Sequence, residues 1–541
     1  MKSAATPVNI AQRLSEMARA RPDAPAMVFL AGGRTMSFRE LDEDCGRVAR
    51  GLASFGVRRG MRAAVLVKPG PDFFALAFAL FRLGAVPVLI DPGLGREGLG
   101  RCLEEAAPEV FIAIPTAHAA RLLFGWAKDS VKLTLMAGPS VSPGMTTLEE
   151  LRRRDAEPLA PVETAPEDPA AVLFTSGSTG APKGVVYSHG NFSAQVDLLR
   201  ARFGIEPGEV DLATFPLFAL FDPALGMTAV IPEMDFTQPG SVLSANILGP
   251  IRRYGVTNLF GSPALLDRVS RGAAGVRLPS LKRVLSAGAP VSPKILKRFS
   301  SLLTGDAQIH TPYGATEALP VCSISSREVL GETAADAAKG RGTCVGRPLD
   351  GVELSVISIT DAAVPEWSEA LRAAAGAVGE FVVRGPQVTL SYHGRPDADA
   401  AAKIRFPDGS IGHRMGDLGR LDASGRAWFC GRKSQRVETV KGPLFTDCVE
   451  GIFNAHPRVR RSALVGVGVP GAQRPVLIVE LEEGNKPSKA LSDELLELGA
   501  RYPDSKCLET VLFHASLPVD VRHNAKIRRE VLAGWAASRL P

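Results

Sequence analysis

The hydrophobic rhythm of the chain changes along its length, and the changes divide it. From about residue 36 to residue 290, short unbroken apolar runs recur between stretches with helical spacing: RAAVLV, AVPVLI, EVFIAI, AAVLFT, TNLFG and RVLSAG. Strands of that kind are buried on both faces, and their alternation with helices predicts an α/β domain with largely parallel sheet. Between 340 and 430 the runs GVELSVI, GEFVVRG and RAWFCG are separated by Gly, Pro and Asp, which predicts antiparallel strands in a small β-barrel-like subdomain. Beyond them, helical patterns (CVEGIFNAH, SDELLELGARY) mix with strand patterns (RSALVGVG, RPVLIVEL, ETVLFHAS), as in a separate small α+β domain. The boundary falls just after the strand AWFC, giving an N-terminal domain over 1–431 and a C-terminal domain over 432–541.

One apolar run, FFALAFALFRLGAVPVLIDPG from Phe73, approaches the length of a membrane span. Arg82, Gly84 and Pro87 interrupt it, so it reads as a buried helix followed by a short buried strand. The N-terminus MKSAATPVNIAQRLSEMARARPDAPAM has the pattern of an amphipathic helix and lacks the apolar centre of a signal peptide. The expectation is a cytoplasmic protein whose membrane association is at most peripheral. The alanine-rich EALRAAAGAVGE reads as a surface segment.

A chain of 541 residues exceeds what one hydrophobic core supports, in keeping with two domains. The net charge of +6 is mild for this length and its arginines are scattered, which argues against a nucleic-acid partner. Seven cysteines, odd in number, far apart and without a C-x-x-C pair, read as reduced thiols. No His, Cys and Glu set has zinc spacing.

The chemistry concentrates in TSGSTGAPKG, residues 175–184, directly after the buried strand AAVLF. Thr, Ser and Gly expose backbone N–H groups and hydroxyls at little steric cost, which suits a loop that surrounds phosphate oxygens. Its place after a strand is where α/β proteins hold ligands. The spacing fits neither the Walker P-loop, because Lys183 precedes Gly184 in place of Ser or Thr, nor G-x-G-x-x-G.

This loop resembles the phosphate-binding loop of the adenylate-forming superfamily, which includes acyl-CoA synthetases, peptide synthetase adenylation domains and luciferases. Further blocks of that superfamily follow in order: SAGAP at 286–290, PYGATE at 312–317, GEFVVRGPQVTLSYHG from Gly379, HRMGDLGRLDASGRAWFCGR from His413, and LPVDVRHNAKIRREVL near the end. The resemblance implies ATP and Mg²⁺. It implies phosphate contacts from Thr175, Ser176, Gly177, Ser178, Thr179 and Gly180, with Lys183 in support. Gly288, Ala289 and Pro290 would pack on adenine, Tyr313 would stack on it beside Gly314, and Thr316 would contact phosphate. Glu317 would help hold the metal, Asp417 would bind the ribose hydroxyls, Arg432 would lie at the domain junction, and Lys526 would be the catalytic lysine. Ser434 would be the hinge of a mobile C-terminal domain. His189, Ala219 and Ala315 are candidate substrate-pocket positions, although His189 and His310 read more readily as packing histidines.

The chain departs from acyl-CoA synthetases where the thiol would act. Ala219 in FPLFALFDPA replaces a common histidine, Glu438 stands near the usual lysine, Pro443 follows Gly442, and RHNAKI replaces a common S-G-K. LIDPG, FALFDPALGMTAVIPEMDF, HTPYGATEALPV and VDVRHNAKI resemble the β-lactone synthetases of bacterial long-chain olefin synthesis. That resemblance implies a lipid-like 2-alkyl-3-hydroxyalkanoic acid, activated as an acyl-AMP and closed to a β-lactone by its own hydroxyl, with other olefin-pathway enzymes as partners. The alternatives are a long-chain fatty acyl-CoA or acyl-AMP ligase and a non-catalytic ATP-binding relative.

Overall fold

The computed structural model describes residues 8–140, 144–153, 157–174, 182–273, 275–519 and 526–540. The sequence blocks TSGSTG (175–180) and RHNA (522–525) lie outside the described residues. Two sheets organise the first 430 or so residues. The seven-stranded sheet runs in the order Ser391–Tyr392, Gly184–Ser188, Pro169–Phe174, Val86–Leu89, Arg62–Leu66, Val110–Ala113, Leu133–Met136. Its last five strands are parallel, as the unbroken apolar runs predict, while Gly184–Ser188 and Ser391–Tyr392 are added antiparallel at one edge.

The fourteen-stranded sheet has a parallel half built on Val210–Ala213, Thr228–Ile231, Asn258–Phe260, Arg283–Leu285 and Gln308–Ala315. Its other half is antiparallel, as expected for 340–430: Glu353–Ile357, Gly379–Arg384, Ile411–Leu421, Ala427–Arg432 and Thr343–Pro348. The two halves join through Ala318–Ser325, which pairs with Gln308–Ala315 on one side and Thr343–Pro348 on the other. The PYGATE block therefore lies where parallel sheet changes to antiparallel.

The run from Phe73 forms the helix Pro71–Leu83 and the strand Val86–Leu89, both buried in the main core. Gly84 ends the helix in the left-handed conformation (φ 64°), which a side chain would strain. Arg82 is accommodated inside the core: it ion-pairs with Asp42 and donates to the Leu159 carbonyl at 2.9 Å and to Ser15 Oγ at 3.1 Å. Among the described residues no helix is long and apolar enough to cross a membrane. All seven cysteines are free thiols.

Residues beyond 436 build their own apolar clusters, from Val437, Val449, Phe453, Leu477 and Leu495 on one side of the sheet and Val465, Ile478 and Leu532 on the other. Three strands, Val459–Val467, Arg474–Leu481 and Val511–Phe513, carry the helices Thr446–Asn454, Lys489–Ala500 and Arg529–Ala537. Polar contacts and close packing of the helix Thr446–Asn454 join this unit to the rest. Thr343 Oγ1 donates to Asp447 Oδ1 at 3.1 Å, and Lys294 Nζ donates to Glu482 Oε1 at 2.8 Å and to the Val459 carbonyl at 3.1 Å. Gly431 (φ 130°) lies so close to Thr446 that a Cβ there would sit 2.3 Å from its hydroxyl. Ser434 occupies the short 3₁₀ turn Lys433–Gln435 that follows.

Two outcomes follow from these contacts. Arg82→Met strands Asp42 and the Leu159 carbonyl in a half-buried setting, so it destabilises the chain by about 3–5 kcal/mol, read as a lower denaturant midpoint; an unchanged midpoint contradicts the role of this pair. Burial, then the neighbouring Glu450, pushes the Asp447 carboxyl up to about 7, against the pull of Arg529. A raised carboxyl favours the docked arrangement while it is protonated, so docking weakens as pH rises from the ordinary carboxylate range through about 7. Proteolytic cleavage around 433–436 should quicken over that window in the wild type and not in Asp447→Asn.

Candidate active site

The site is built on the reversal between Gln308–Ala315 and Ala318–Ser325. Gly314 permits it: a Cβ there would lie 2.7 Å from the Ala318 carbonyl oxygen and 2.7 Å from Leu319 Cβ. Tyr313 precedes the reversal, and Thr316 and Glu317 form its tip. SAGAP leaves the end of the neighbouring parallel strand Arg283–Leu285, so both motifs emerge at the same sheet end. Gly288 there takes φ 95° and, with Pro290, is exposed, while Ala289 is half-buried.

Three residues predicted from two blocks, PYGATE and the one from His413, meet beside the reversal. Tyr313 Oη donates to Asp417 Oδ2 at 2.6 Å, and Arg432 Nη1 donates to Asp417 Oδ1 at 2.6 Å and to the Met415 carbonyl at 3.3 Å. Asp417 and Arg432 are directly opposite each other on paired strands. Burial and then the Asp417 charge push the Tyr313 phenol well above its usual range, so it remains a donor. Each carboxylate oxygen of Asp417 keeps a second lone pair, so both contacts leave capacity for further hydroxyl donors.

Thr316 and Glu317 are held from the other sheet. Tyr187 Oη donates to the Thr316 carbonyl. The Glu317 carbonyl accepts from Thr389 N at 2.9 Å and from Thr389 Oγ1 at 3.1 Å. The Glu317 carboxylate accepts from Tyr392 Oη at 2.6 Å. Lys183 Nζ lies 5.0 Å from the centre of the Tyr392 ring and Lys403 Nζ lies 5.6 Å from it. Burial lowers the Lys403 ammonium to about 8, with Glu317 and Asp399 opposing. Burial, then the charges of Lys403, Arg432 and Lys183, hold His413 well below its usual range, hence neutral.

Other predicted positions fall differently. His189 is buried, accepts from Ile10 N at 3.3 Å and meets Phe81 edge-on, so its contacts are those of a packing residue; burial lowers it to about 4. Ala315 ends its strand half-buried. Ala219 is buried in the helix Pro216–Ala219, whose Phe218 stacks on Phe260 at 3.9 Å. From there Phe221, Phe192 and Tyr187 continue a line of ring contacts back to the Thr316 carbonyl. Lys526 is half-buried and lies just before the helix Arg529–Ala537, which is anchored by an Arg529–Glu450 ion pair at 2.8 Å. Glu438 pairs with Arg436 at 2.6 Å. The sequence reading missed Tyr187, Tyr392 and Lys403; Tyr392 stands inside the quoted block from Gly379, which was the available signal.

With this geometry in place, the comparisons are informative. The AMP-binding enzyme family matches residues 14–393. The chain is 51% identical to an olefin β-lactone synthetase of Stenotrophomonas maltophilia (strain K279a), covering 99% of both chains. It is 49% identical to an olefin β-lactone synthetase of Xanthomonas campestris pv. campestris, covering 98% of both. In fold it is similar to ATP-bound MatB from Rhodopseudomonas palustris, with a TM-score of 0.81 at 22% identity over 99% of this chain and 100% of that one. The blocks that converge on Asp417 and Glu317, and a match running the full length of two named relatives, agree: this chain belongs to the AMP-binding enzyme family, in the branch of the olefin β-lactone synthetases.

Proposed function

We propose that the chain activates a 2-alkyl-3-hydroxyalkanoic acid with ATP and closes the acyl-AMP to a β-lactone, releasing AMP and pyrophosphate. The observation that carries this reading is the full-length relationship at 51% identity to an olefin β-lactone synthetase. It is joined by Tyr313 and Arg432 both bonded to Asp417 and by a rewritten thiol-using region.

In the first step a carboxylate oxygen attacks the α-phosphorus and pyrophosphate departs. Asp417, ion-paired with Arg432, receives the ribose hydroxyls, and Tyr313 and the 288–290 segment flank the base. Mg²⁺ supplies charge neutralisation at the phosphates. Glu317 suits it, since this ion is commonly held by one or two carboxylates plus substrate oxygens, and among the described residues there is no cluster of three or more ligating side chains. Lys526 brings an ammonium to the developing charge, carried by a domain that turns about Ser434. In the second step the β-hydroxyl oxygen attacks the acyl carbonyl carbon, its proton passes to solvent, and the acyl C–O bond to the phosphate breaks to release AMP. A nucleophile already bound to its electrophile loses little further entropy. The rings from Tyr187 to Phe260 offer an apolar wall for the alkyl chains.

A cytoplasmic location and contact with olefin-pathway enzymes or a membrane surface fit such a substrate; the consecutive exposed side chains Leu122, Leu123 and Phe124 are suited to it.

The reading yields concrete outcomes. Lys526→Ala lowers pyrophosphate–ATP exchange by about two to three decades while ATP still binds; exchange at the wild-type rate removes Lys526 from the mechanism. Asp417→Ala raises the KM for ATP, and an unchanged KM reduces Asp417 to a structural partner of Tyr313 and Arg432. A 2-alkyl-3-hydroxy acid with ATP and Mg²⁺ gives β-lactone without CoA, identified by mass spectrometry and NMR. AMP release that depends strictly on CoA favours the acyl-CoA ligase alternative.

A further inference from the structure

We propose that Tyr392 is a positioning residue that sets the Glu317 carboxylate for the metal ion, a role that rests on the reading of Glu317 given above. Tyr392 belongs to the two-residue strand Ser391–Tyr392, paired antiparallel with Gly184–Ser188 so that Tyr392 lies opposite Val185. That pairing adds the segment to the edge strand that continues from Lys183. The phenol is 6% exposed and delivers its hydrogen bond to Glu317 Oε1.

The same segment also fixes the other end of Glu317. Thr389 holds the Glu317 carbonyl through its N–H and its hydroxyl. Thr389 is in turn held by the buried Lys403, whose Nζ donates to the Thr389 carbonyl at 2.5 Å and to its Oγ1 at 3.3 Å. Tyr392 N donates to Asp399 Oδ1 at 2.7 Å, which ties the segment to the helix Pro396–Ala402. Backbone and carboxylate of one glutamate are thus gripped by residues 389–392. A free glutamate side chain samples several rotamers, and selecting one on metal binding costs entropy. A hydrogen bond from a rigid, packed phenol meets that cost in advance, as outer-layer partners do at other metal sites.

The ring's surroundings explain why a tyrosine serves. Lys183 and Lys403 both approach the ring, and the electron-rich ring accommodates two ammonium groups where an aliphatic residue would leave them without that contact. Tyr392→Phe keeps the ring and both cation contacts and deletes only the hydroxyl, so it isolates the hydrogen bond to Glu317.

The test measures the rise in melting temperature with ATP as Mg²⁺ is titrated, for wild type, Tyr392→Phe, Glu317→Gln and the double variant, alongside exchange kinetics. Tyr392→Phe should need about 10-fold more Mg²⁺ for half the effect. Its shift with ATP alone should equal that of wild type, and its exchange rate should recover at saturating Mg²⁺. The double variant should be no worse than Glu317→Gln. If Glu317→Gln is impaired while Tyr392→Phe titrates like wild type, the positioning role is overturned and the metal reading stands. If Glu317→Gln also titrates like wild type, both fall. A loss of exchange in Tyr392→Phe that excess Mg²⁺ does not restore also overturns the proposal.

Discussion

The site depends on holding one reversal, Thr316–Glu317, from a sheet to which it does not belong. The turn is the tip of two strands of the fourteen-stranded sheet. Its carbonyls and its carboxylate are bound by Tyr187, Thr389 and Tyr392, two of which stand on strands of the seven-stranded sheet. Gln195 extends the same seam by donating to the Leu319 carbonyl at 3.0 Å, and Asn191 by donating to the Pro386 and Val388 carbonyls. Hydrogen bonds of this kind stabilise modestly when made and are expensive when half-made in the interior. The seam therefore fixes the separation of the two sheets, and with it the distance between Lys183, at the end of the phosphate-loop block, and Glu317.

Electrostatics complete the division of labour. Around Asp417 the charges are balanced by Arg432, and the Tyr313 phenol stays neutral under burial and the adjacent carboxylate. Around Glu317 two lysines share one aromatic ring, and His413 is kept neutral. The C-terminal unit meets the rest through polar contacts such as Thr343–Asp447 and Lys294–Glu482 and through close packing of the helix Thr446–Asn454, whose Cys448 and Ile452 are buried against Cys430 and Gly340.

Much of this was readable in the sequence, and the reasons are local. Unbroken apolar runs mark the parallel strands, and Arg82, Gly84 and Pro87 expose the run from Phe73 as a helix and strand. The motif blocks carry Tyr313, Glu317, Asp417 and Arg432 because each is embedded in a stretch of specific order. What was not legible is strand partnership. Nothing near Tyr392 says that it reaches a carboxylate 75 positions away, since that depends on Ser391–Tyr392 choosing Gly184–Ser188 as its neighbour. The antiparallel strands of 340–430 were legible as strands, but their continuity with the parallel sheet through Thr343–Pro348 is a matter of long-range pairing. His189 was legible as a packing histidine, and the fold uses it as an acceptor for the N-terminal helix.

The central claim is that the carboxylate is activated and the hydroxyl is the nucleophile. Oxygen isotope tracing tests it most directly. With ¹⁸O in the β-hydroxyl of the acid, ATP and Mg²⁺, the account predicts that all label stays in the lactone ring and none enters AMP. With ¹⁸O in the carboxylate it predicts one labelled oxygen in each AMP released. Label passing from the β-hydroxyl into AMP would mean that the hydroxyl, not the carboxylate, is adenylated, and would contradict the account.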